Sequence, residues 1–460
     1  MNAARDSVRR ASYWAPLAFG AWAAGIALAP SLPVKALLAA PAALVPLAWW
    51  TFRTPARWLA LFLASAVLLP PLPIAAGDSG PHPCLVFAAA GLLAGLLWMG
   101  DWQIQPSSLG SAFTALFGVM LASVAMAAYH STIEIATGSL VRVALFGISV
   151  YVFFYAAYGP GRGSVAGLCY LYWAAAASAL FACVDFYFQF PAPTGYAPQF
   201  VWLDTGVFRR AEGIFYEAST LGNFCAFFLA MIAVAFTVPR EQSPVSRKAL
   251  LAGGAIFFAA LVLSYSRASL LNVAVAGLVL AWRNRQRVRL GRVAAALAAA
   301  ALLVWRIFPT FADMYWLRLS NTAEFFFTAT EGVLSGRVAS WRLLAAWLSA
   351  NPWQALFGIG YKTLPYTNYL GGPVVADNMY LSLLVETGIA GLAAVVWLNV
   401  AILRAAALAA RSTDTRASFC GTWMLCFWFG QSVQMFSGDL LTYWRVLPVY
   451  FWVLALAVRV

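Results

Sequence analysis

The sequence predicts an all-α protein that crosses a membrane many times. Three observations predict it. Of the 460 residues, 63% are hydrophobic and only 10% charged, and the mean hydropathy is +0.79, far more apolar sequence than a soluble core requires. The apolar residues fall into runs of about 20, the length that crosses a bilayer as a helix. One polar stretch, Pro309 to Asn378, interrupts those runs and carries Asp313, Arg318, Glu324, Glu331, Arg337, Arg342, Lys362 and Asp377. Backbone polar groups at membrane depth must all find partners, so a segment this polar implies a site for a polar substrate at the membrane surface.

Taken in order, spans are expected near 14–30, 33–51, 57–76, 84–100, 109–129, 139–158, 164–190, 214–237, 249–265, 267–282, 293–309, 379–403, 417–436 and 444–459. That gives about 12–14 transmembrane helices in a single polytopic domain, 1–460, with 309–378 as a large loop within it.

Charge tests the order. The formal net charge is +13. Basic residues concentrate at the N-terminus (Arg5, Arg9, Arg10), in the turn with Arg53 and Arg57, and in the connections 238–248, 283–292 and 404–416. With fourteen spans all of these fall on one side, which the positive-inside rule makes cytoplasmic. Both termini are then cytoplasmic. The loop 309–378, the loop 191–213 and the turn Ser264–Arg267 then fall on the opposite, outer face. Basic residues used this way leave no reason to invoke nucleic acid. The six cysteines lie in or beside apolar stretches without a CxxC pair, so they read as small packing residues. The first hydrophobic run is too long for a signal-peptide core.

Arg209, Arg210, Arg267, Arg318, Arg337 and Arg342 run against the charge bias of the outer face. Arginines at the membrane edge that do not set topology are functional candidates. The plainer reading is snorkelling, or pairing with Glu212 or Asp204.

Three outward segments carry the chemistry. The first is Phe208-Arg209-Arg210-Ala211-Glu212-Gly213-Ile214-Phe215-Tyr216-Glu217-Ala218-Ser219. The second is Ser264-Tyr265-Ser266-Arg267-Ala268-Ser269, with Arg267 at the head of a helix. The third is Ala376-Asp377-Asn378-Met379-Tyr380-Leu381, followed by Glu386-Thr387-Gly388-Ile389-Ala390-Gly391. Together with Pro352 and Gly358-Ile359-Gly360, these segments resemble the O-antigen polymerase and O-antigen ligase superfamily (Wzy/WaaL type). The resemblance covers about residues 200–445, the C-terminal half.

The resemblance implies a GT-C-like glycosyltransferase of the inner membrane. It would take an undecaprenyl-pyrophosphate-linked oligosaccharide donor and a glycan acceptor at the periplasmic face, alongside a flippase and a chain-length regulator, with no cofactor and no metal. Arginine suits a diphosphate leaving group, because its planar fork binds phosphate oxygens two at a time and stays charged. Arg267, Arg210, Arg209, Arg337 and Arg342, with Asn378 and Tyr380, are the expected substrate and pyrophosphate contacts. Ligases of the family carry a histidine just before the asparagine matched by Asn378. Here that position is Asp377, and the two histidines, His82 and His130, lie in other loops. Asp377 and Glu217 are therefore the candidate catalytic bases. The competing roles are a helix cap for Asp377 and an arginine ion pair for Glu217. Glu386 reads as a packing or hydrogen-bonding residue.

The missing histidine and the Glu-Ala-Ser segment favour a polymerase of O-antigen or exopolysaccharide over a ligase that hands the glycan to lipid A-core. A transporter or flippase of lipid-linked glycans would be expected to show inverted repeats, and no repeat relates the two halves.

Overall fold

The computed structural model describes residues 18–72, 81–160, 165–193, 195–203, 206–285 and 337–459, with single residues between 302 and 320. The N-terminal arginines, most of the connection 283–292 and much of the expected span 293–309 lie outside the described residues. The protein is a helical polytopic membrane protein. Among the described residues, five helices are long and apolar enough to cross a membrane, and further apolar helices are shorter.

The chain divides into two compact units, residues 1–58 and 59–460. The first holds α1 (Ala18–Leu28) and α2 (Leu32–Phe52), which contains Pro41 and Pro46. Interior prolines each delete a helical hydrogen bond, a loss that helices in membranes tolerate. Trp22 donates from Nε1 to the Leu38 carbonyl at 2.7 Å.

Helix α3 (Arg57–Leu68) leads into the second unit. It continues with α4 (Cys84–Leu97), α5 (Ser108–His130), α6 (Ile133–Tyr158) and α7 (Val165–Phe188). A two-stranded antiparallel hairpin follows, β1 (Phe200–Leu203) and β2 (Gly206–Arg209), with Phe200 opposite Arg209 and Leu203 opposite Gly206. Then come α8 (Ala218–Thr237), α9 (Arg247–Leu263) and α10 (Arg267–Arg283). After the polar stretch come α11 (Arg337–Ala350), α12 (Pro352–Phe357), α13 (Met379–Ala409), α14 (Thr415–Gln434) and α15 (Leu447–Val458).

Two features differ from the sequence expectation. The segment 191–213, expected as a loop, contains the hairpin. The segment 309–378, also expected as a loop, is largely helical where it is described. Residues 309, 312, 313, 316, 317 and 320 are helical, and α11 and α12 follow. The part from 337 onward has a small core of its own, built on Leu344, Ile359, Leu364, Ala376 and Val385. The Trp341 indole N–H also donates to the Ala376 carbonyl at 2.7 Å.

Helix α14 packs against α8, α10, α13 and α15. It has 20 residues but too many polar ones to count as an apolar span. Its neighbours shield those polar groups from lipid, so they bond to each other. Asn223 of α8 and Asn272 of α10 both donate to Gln431 and Gln434 of α14, at 2.7–3.2 Å. Tyr450 of α15 donates to the Asn223 carbonyl oxygen at 2.8 Å. Interhelical polar bonds of this kind hold membrane helices together where burial from lipid gains little.

Helix α13 is broken at Gly388, whose φ is +71° and ψ −171°. The Glu386-Thr387-Gly388 and Gly358-Ile359-Gly360 segments meet at this break. Ile359 N–H donates to the Val385 carbonyl at 3.2 Å and Gly360 N–H to the Glu386 carbonyl at 2.8 Å, which supplies partners for carbonyls freed by the break. A Cβ at Gly358 would lie 2.6 Å from the Glu386 carbonyl carbon, and one at Gly388 2.6 Å from that of Leu356. Both glycines also have positive φ, so close approach and backbone conformation demand the same residue type. The loop then threads between α5 and α6. Ser123 Oγ accepts from Tyr361 N–H at 3.1 Å, and Ser139 donates to the Tyr361 carbonyl at 2.6 Å. This threading places Lys362.

Candidate functional site

Two adjoining cavities are both lined by Glu217. They share Glu217, Lys362, Thr442 and Tyr443 as a common wall. The first, of about 320 Å³, is lined by Arg210, Arg267, Arg337, Lys362, Asp377 and Asp439 among others. We call it the arginine cavity. The second, of about 360 Å³, is lined by Arg142, Arg445 and a run of aromatic side chains.

Local structure explains how each charged group reaches the arginine cavity. Successive residues of an extended strand point to opposite faces. Arg209 ends β2 and turns to α7, where it pairs with Asp185 at 3.6 Å. Arg210 turns the other way, donating from Nε to the Ser264 carbonyl at 2.9 Å. Its backbone is held in place by Arg210 N–H to the Gln199 carbonyl and Ala211 N–H to the Leu263 carbonyl, both 2.9 Å. Glu212, one of the expected arginine partners, instead accepts the backbone N–H of Gln199; Asp204, the other, lies outside the described residues.

Arg267 is the first residue of α10. Ser266 caps that helix by accepting the Ser269 N–H, and Tyr265 ahead of it has φ +52°. A helix start adds backbone N–H groups and a positive dipole end to the guanidinium. Arg337 starts α11 and bonds from Nε to Asp377 Oδ2 at 3.0 Å. Arg342 lies five positions further along α11, which turns it to a different face of the helix, and it is exposed. It does not line the cavity.

Asp377 was expected to compete between base and helix cap. The cap is Asn378, whose side chain accepts the Leu381 N–H at 3.1 Å. Asp377 sits in the left-handed region, φ +46°, with a side chain 45% exposed on the cavity wall. Asn378 and Tyr380 line a separate shallow cavity. The Tyr380 hydroxyl donates to the Ser432 carbonyl at 3.0 Å, which ties α13 to α14.

Glu217 stands just ahead of α8, after Tyr216 with φ +53°. Its carboxylate accepts the Thr220 hydroxyl at 2.6 Å. Burial pushes the Glu217 carboxyl above the usual carboxylate range, while the Thr220 hydroxyl, Arg210 and Lys362 pull it back. Glu217 therefore faces two cavities with a tunable proton.

Lys362 and Asp439 were not singled out as site residues by the sequence reading. They form an ion pair between the 358–364 loop and the connection from α14 to α15. Burial works against the Lys362 ammonium, but the Asp439 and Glu386 carboxylates outweigh it and hold its pKa above the usual lysine range. Lys362 has φ +58°, a conformation that costs a non-glycine residue energy unless the surroundings impose it. The surroundings here are Glu386, 1% exposed, with the backbone N–H groups of Lys362 and Leu364 directed at its carboxylate. A sequence signal for Asp439 existed: it is an acidic residue in a short connection between two expected spans.

The histidines stand apart. His82 Nδ1 accepts the Cys84 N–H at 3.1 Å and Nε2 meets the Leu69 carbonyl at 2.9 Å. Burial and then Arg445 lower its pKa to about 4, so it is a neutral structural residue. Among the described residues, no group of three His, Cys, Asp or Glu side chains is arranged to hold a metal ion.

Residues 252–396 match the family described as Wzy_C, O-Antigen ligase. Over these residues, about a third of the chain, the protein is similar to that family. The matched segment holds Arg267, Arg337, Lys362, Asp377 and the broken helix at Gly388. Arg210, Glu217 and Asp439, which complete the arginine cavity, lie outside it. No curated protein matches the chain.

Proposed function

We propose that the protein is a polysaccharide polymerase. It transfers an undecaprenyl-pyrophosphate-linked glycan to a sugar hydroxyl of another lipid-linked repeat unit, at the periplasmic face of the inner membrane. The observation that carries this reading is the placing of Arg210, Arg267 and Arg337 around one cavity with half-buried Glu217 on its wall.

The chemistry follows from that arrangement. The acceptor oxygen bonds to the anomeric carbon as the carbon–oxygen bond to pyrophosphate breaks. Undecaprenyl pyrophosphate departs as an anion, and the arginine cavity stabilises the charge that builds on it. The acceptor proton goes to Glu217, which must be ionised to receive it. Asp377 neutralises Arg337 and positions it, and is the second candidate base. Lys362, clamped by Asp439, holds positive charge beside Glu217 and favours its ionised form.

The test is reconstitution. The purified chain in lipid vesicles is given undecaprenyl-pyrophosphate-linked repeat units alone, or with lipid A-core added. A ladder of lengthening glycans from repeat units alone supports the polymerase. Single transfer to lipid A-core with no ladder makes the protein a ligase. No transfer in either case, from folded protein, sinks the reading. Orientation is tested by cysteine labelling at Asn368 in a cysteine-free background. Reaction only from the cytoplasmic side would overturn the periplasmic placement.

A further inference from the structure

We propose that the second cavity is the acceptor subsite and that it selects a sugar carrying a carboxylate, such as a uronic acid. The inference rests on the transferase reading above and names the substrate class of the second cavity.

Position comes first. A single displacement at an anomeric carbon brings the nucleophile in opposite the leaving group. With the diphosphate in the arginine cavity, the acceptor must approach from the other side of the reacting carbon. The second cavity adjoins the first along a shared wall, and Glu217 is part of that wall. One carboxylate can thus reach an acceptor hydroxyl held in this cavity while facing the arginines in the other.

The lining argues for a sugar. Tyr196 and Tyr216 stand with ring centroids 5.0 Å apart, and Tyr366 and Trp444 complete the aromatic wall. Flat aromatic faces pack against the C–H face of a pyranose ring while the ring hydroxyls reach polar groups. A volume of about 360 Å³ lies in the range of small-molecule sites.

The charge argues for an acid. Arg445 is 7% exposed and lines the cavity. Its guanidinium is held by the carbonyls of Ala66, Leu69 and Ile214 at 2.7–3.2 Å and lies 4.9 Å over the Phe215 ring. Among the described residues no carboxylate pairs with it. Carbonyl dipoles fix its position but do not cancel its charge, and in a low-dielectric wall that field reaches across the cavity. The neighbouring His82, held neutral partly by Arg445, adds no compensating charge. Arg142 enters from α6, with its guanidinium carbon 4.3 Å over the Tyr366 ring and NH1 3.4 Å from the Lys362 carbonyl. Its guanidinium adds a second positive charge to the cavity lining. The cavity therefore offers a stacking platform flanked by two arginines.

The experiment measures binding to the full chain in lipid nanodiscs. Three probes are used: a glucuronic-acid-terminated disaccharide, the matched glucose-terminated disaccharide, and undecaprenyl pyrophosphate. The expected result is a preference for the acidic disaccharide of about tenfold or more, the scale of one charge-assisted hydrogen bond. Arg142→Gln should abolish the preference and Arg142→Lys should restore part of it, with undecaprenyl pyrophosphate binding unchanged in both. Tyr366→Ala should weaken both disaccharides alike. Equal affinity for the two disaccharides overturns the acid selection. Binding of neither, with undecaprenyl pyrophosphate still bound in an Arg267-dependent manner, overturns the subsite and leaves the transferase reading standing. Loss of that Arg267-dependent binding as well sinks both.

Discussion

Arg337 and Arg445 each line a cavity beside Glu217, and they are held in opposite ways. Arg337 bonds to the carboxylate of Asp377 at 3.0 Å on a partly exposed wall. Arg445 is buried and bonds to backbone carbonyls alone. A carboxylate partner cancels most of an arginine's field, whereas carbonyls leave it directed outward. The arginine cavity also contains Lys362 with its own partner, Asp439. Its positive charge is thus partly balanced before any ligand arrives, which suits the diphosphate release proposed above. The aromatic cavity keeps an uncancelled cation and relies on ring faces for shape. Two adjacent pockets sharing one wall can in this way take chemically different partners.

The strongest way to break the comparison is to remove Glu217, the proposed base. Glu217→Gln should lower polymerisation by about 10²–10⁴-fold, the typical contribution of a positioned base, at unchanged protein level and undecaprenyl pyrophosphate binding. Asp377→Asn keeps an amide in contact with Arg337 and should cost far less. The reverse ranking would transfer the base to Asp377. The sign of the pH dependence follows from burial. A carboxyl whose pKa is raised is protonated over a wider acidic range and accepts no proton there. Activity should therefore rise with pH through a limb above the ordinary carboxylate range, and that limb should vanish from the residual rate of Glu217→Gln.

A smaller effect is expected from the leaving-group side. Arg267→Ala should cost about 10²–10³-fold in turnover, the scale for one charge-stabilising contact. Arg267→Lys should also be impaired, since it keeps the charge and loses the fork. Wild-type chain-length distribution from Arg267→Ala at matched expression would remove it from the site.

The ion pair between the cavities should register as stability. Lys362→Met leaves Asp439 without its counter-charge, and breaking a buried pair from one side costs about 3–5 kcal/mol. Adding Asp439→Leu should return most of that loss, read as the thermal midpoint in detergent. A single variant as stable as wild type would mean the pair is already solvated. Smallest of all, Arg342→Ala should stay within about 0.5 kcal/mol in stability and retain activity. A large loss from it would mean that substrate extends along the exposed face of α11.

Much of the site was legible because its segments carry local signals. Arg267 was marked by the Ser-Tyr-Ser-Arg turn and the helix that follows it. Glu217 and Arg210 were marked by charge at a span entrance. The neighbouring Arg209 and Arg342 carried the same signal, yet they point elsewhere. Strand alternation separates Arg209 from Arg210, and helical periodicity separates Arg342 from Arg337. The first depended on recognising a hairpin inside a Pro- and aromatic-rich segment. Its strands are only four residues each, too short for alternation to stand out. Lys362 and Asp439 could not be paired from sequence, because each looks like an ordinary loop charge until the 358–364 segment is seen threading between helices.

By itself the sequence determined that the chain lives in a membrane and roughly where its helices run, and it marked a set of arginines as candidates. Those properties follow from hydrophobic run length and charge bias, which act locally along the chain. Only the tertiary structure decided which of those arginines share a cavity, that Glu217 lines two cavities, and that Arg445 is buried with no carboxylate partner among the described residues. Each depends on contacts between residues far apart in the chain. Such contacts are set by how helices pack and where a broken helix such as α13 lets a loop in, and hydrophobic pattern does not encode them.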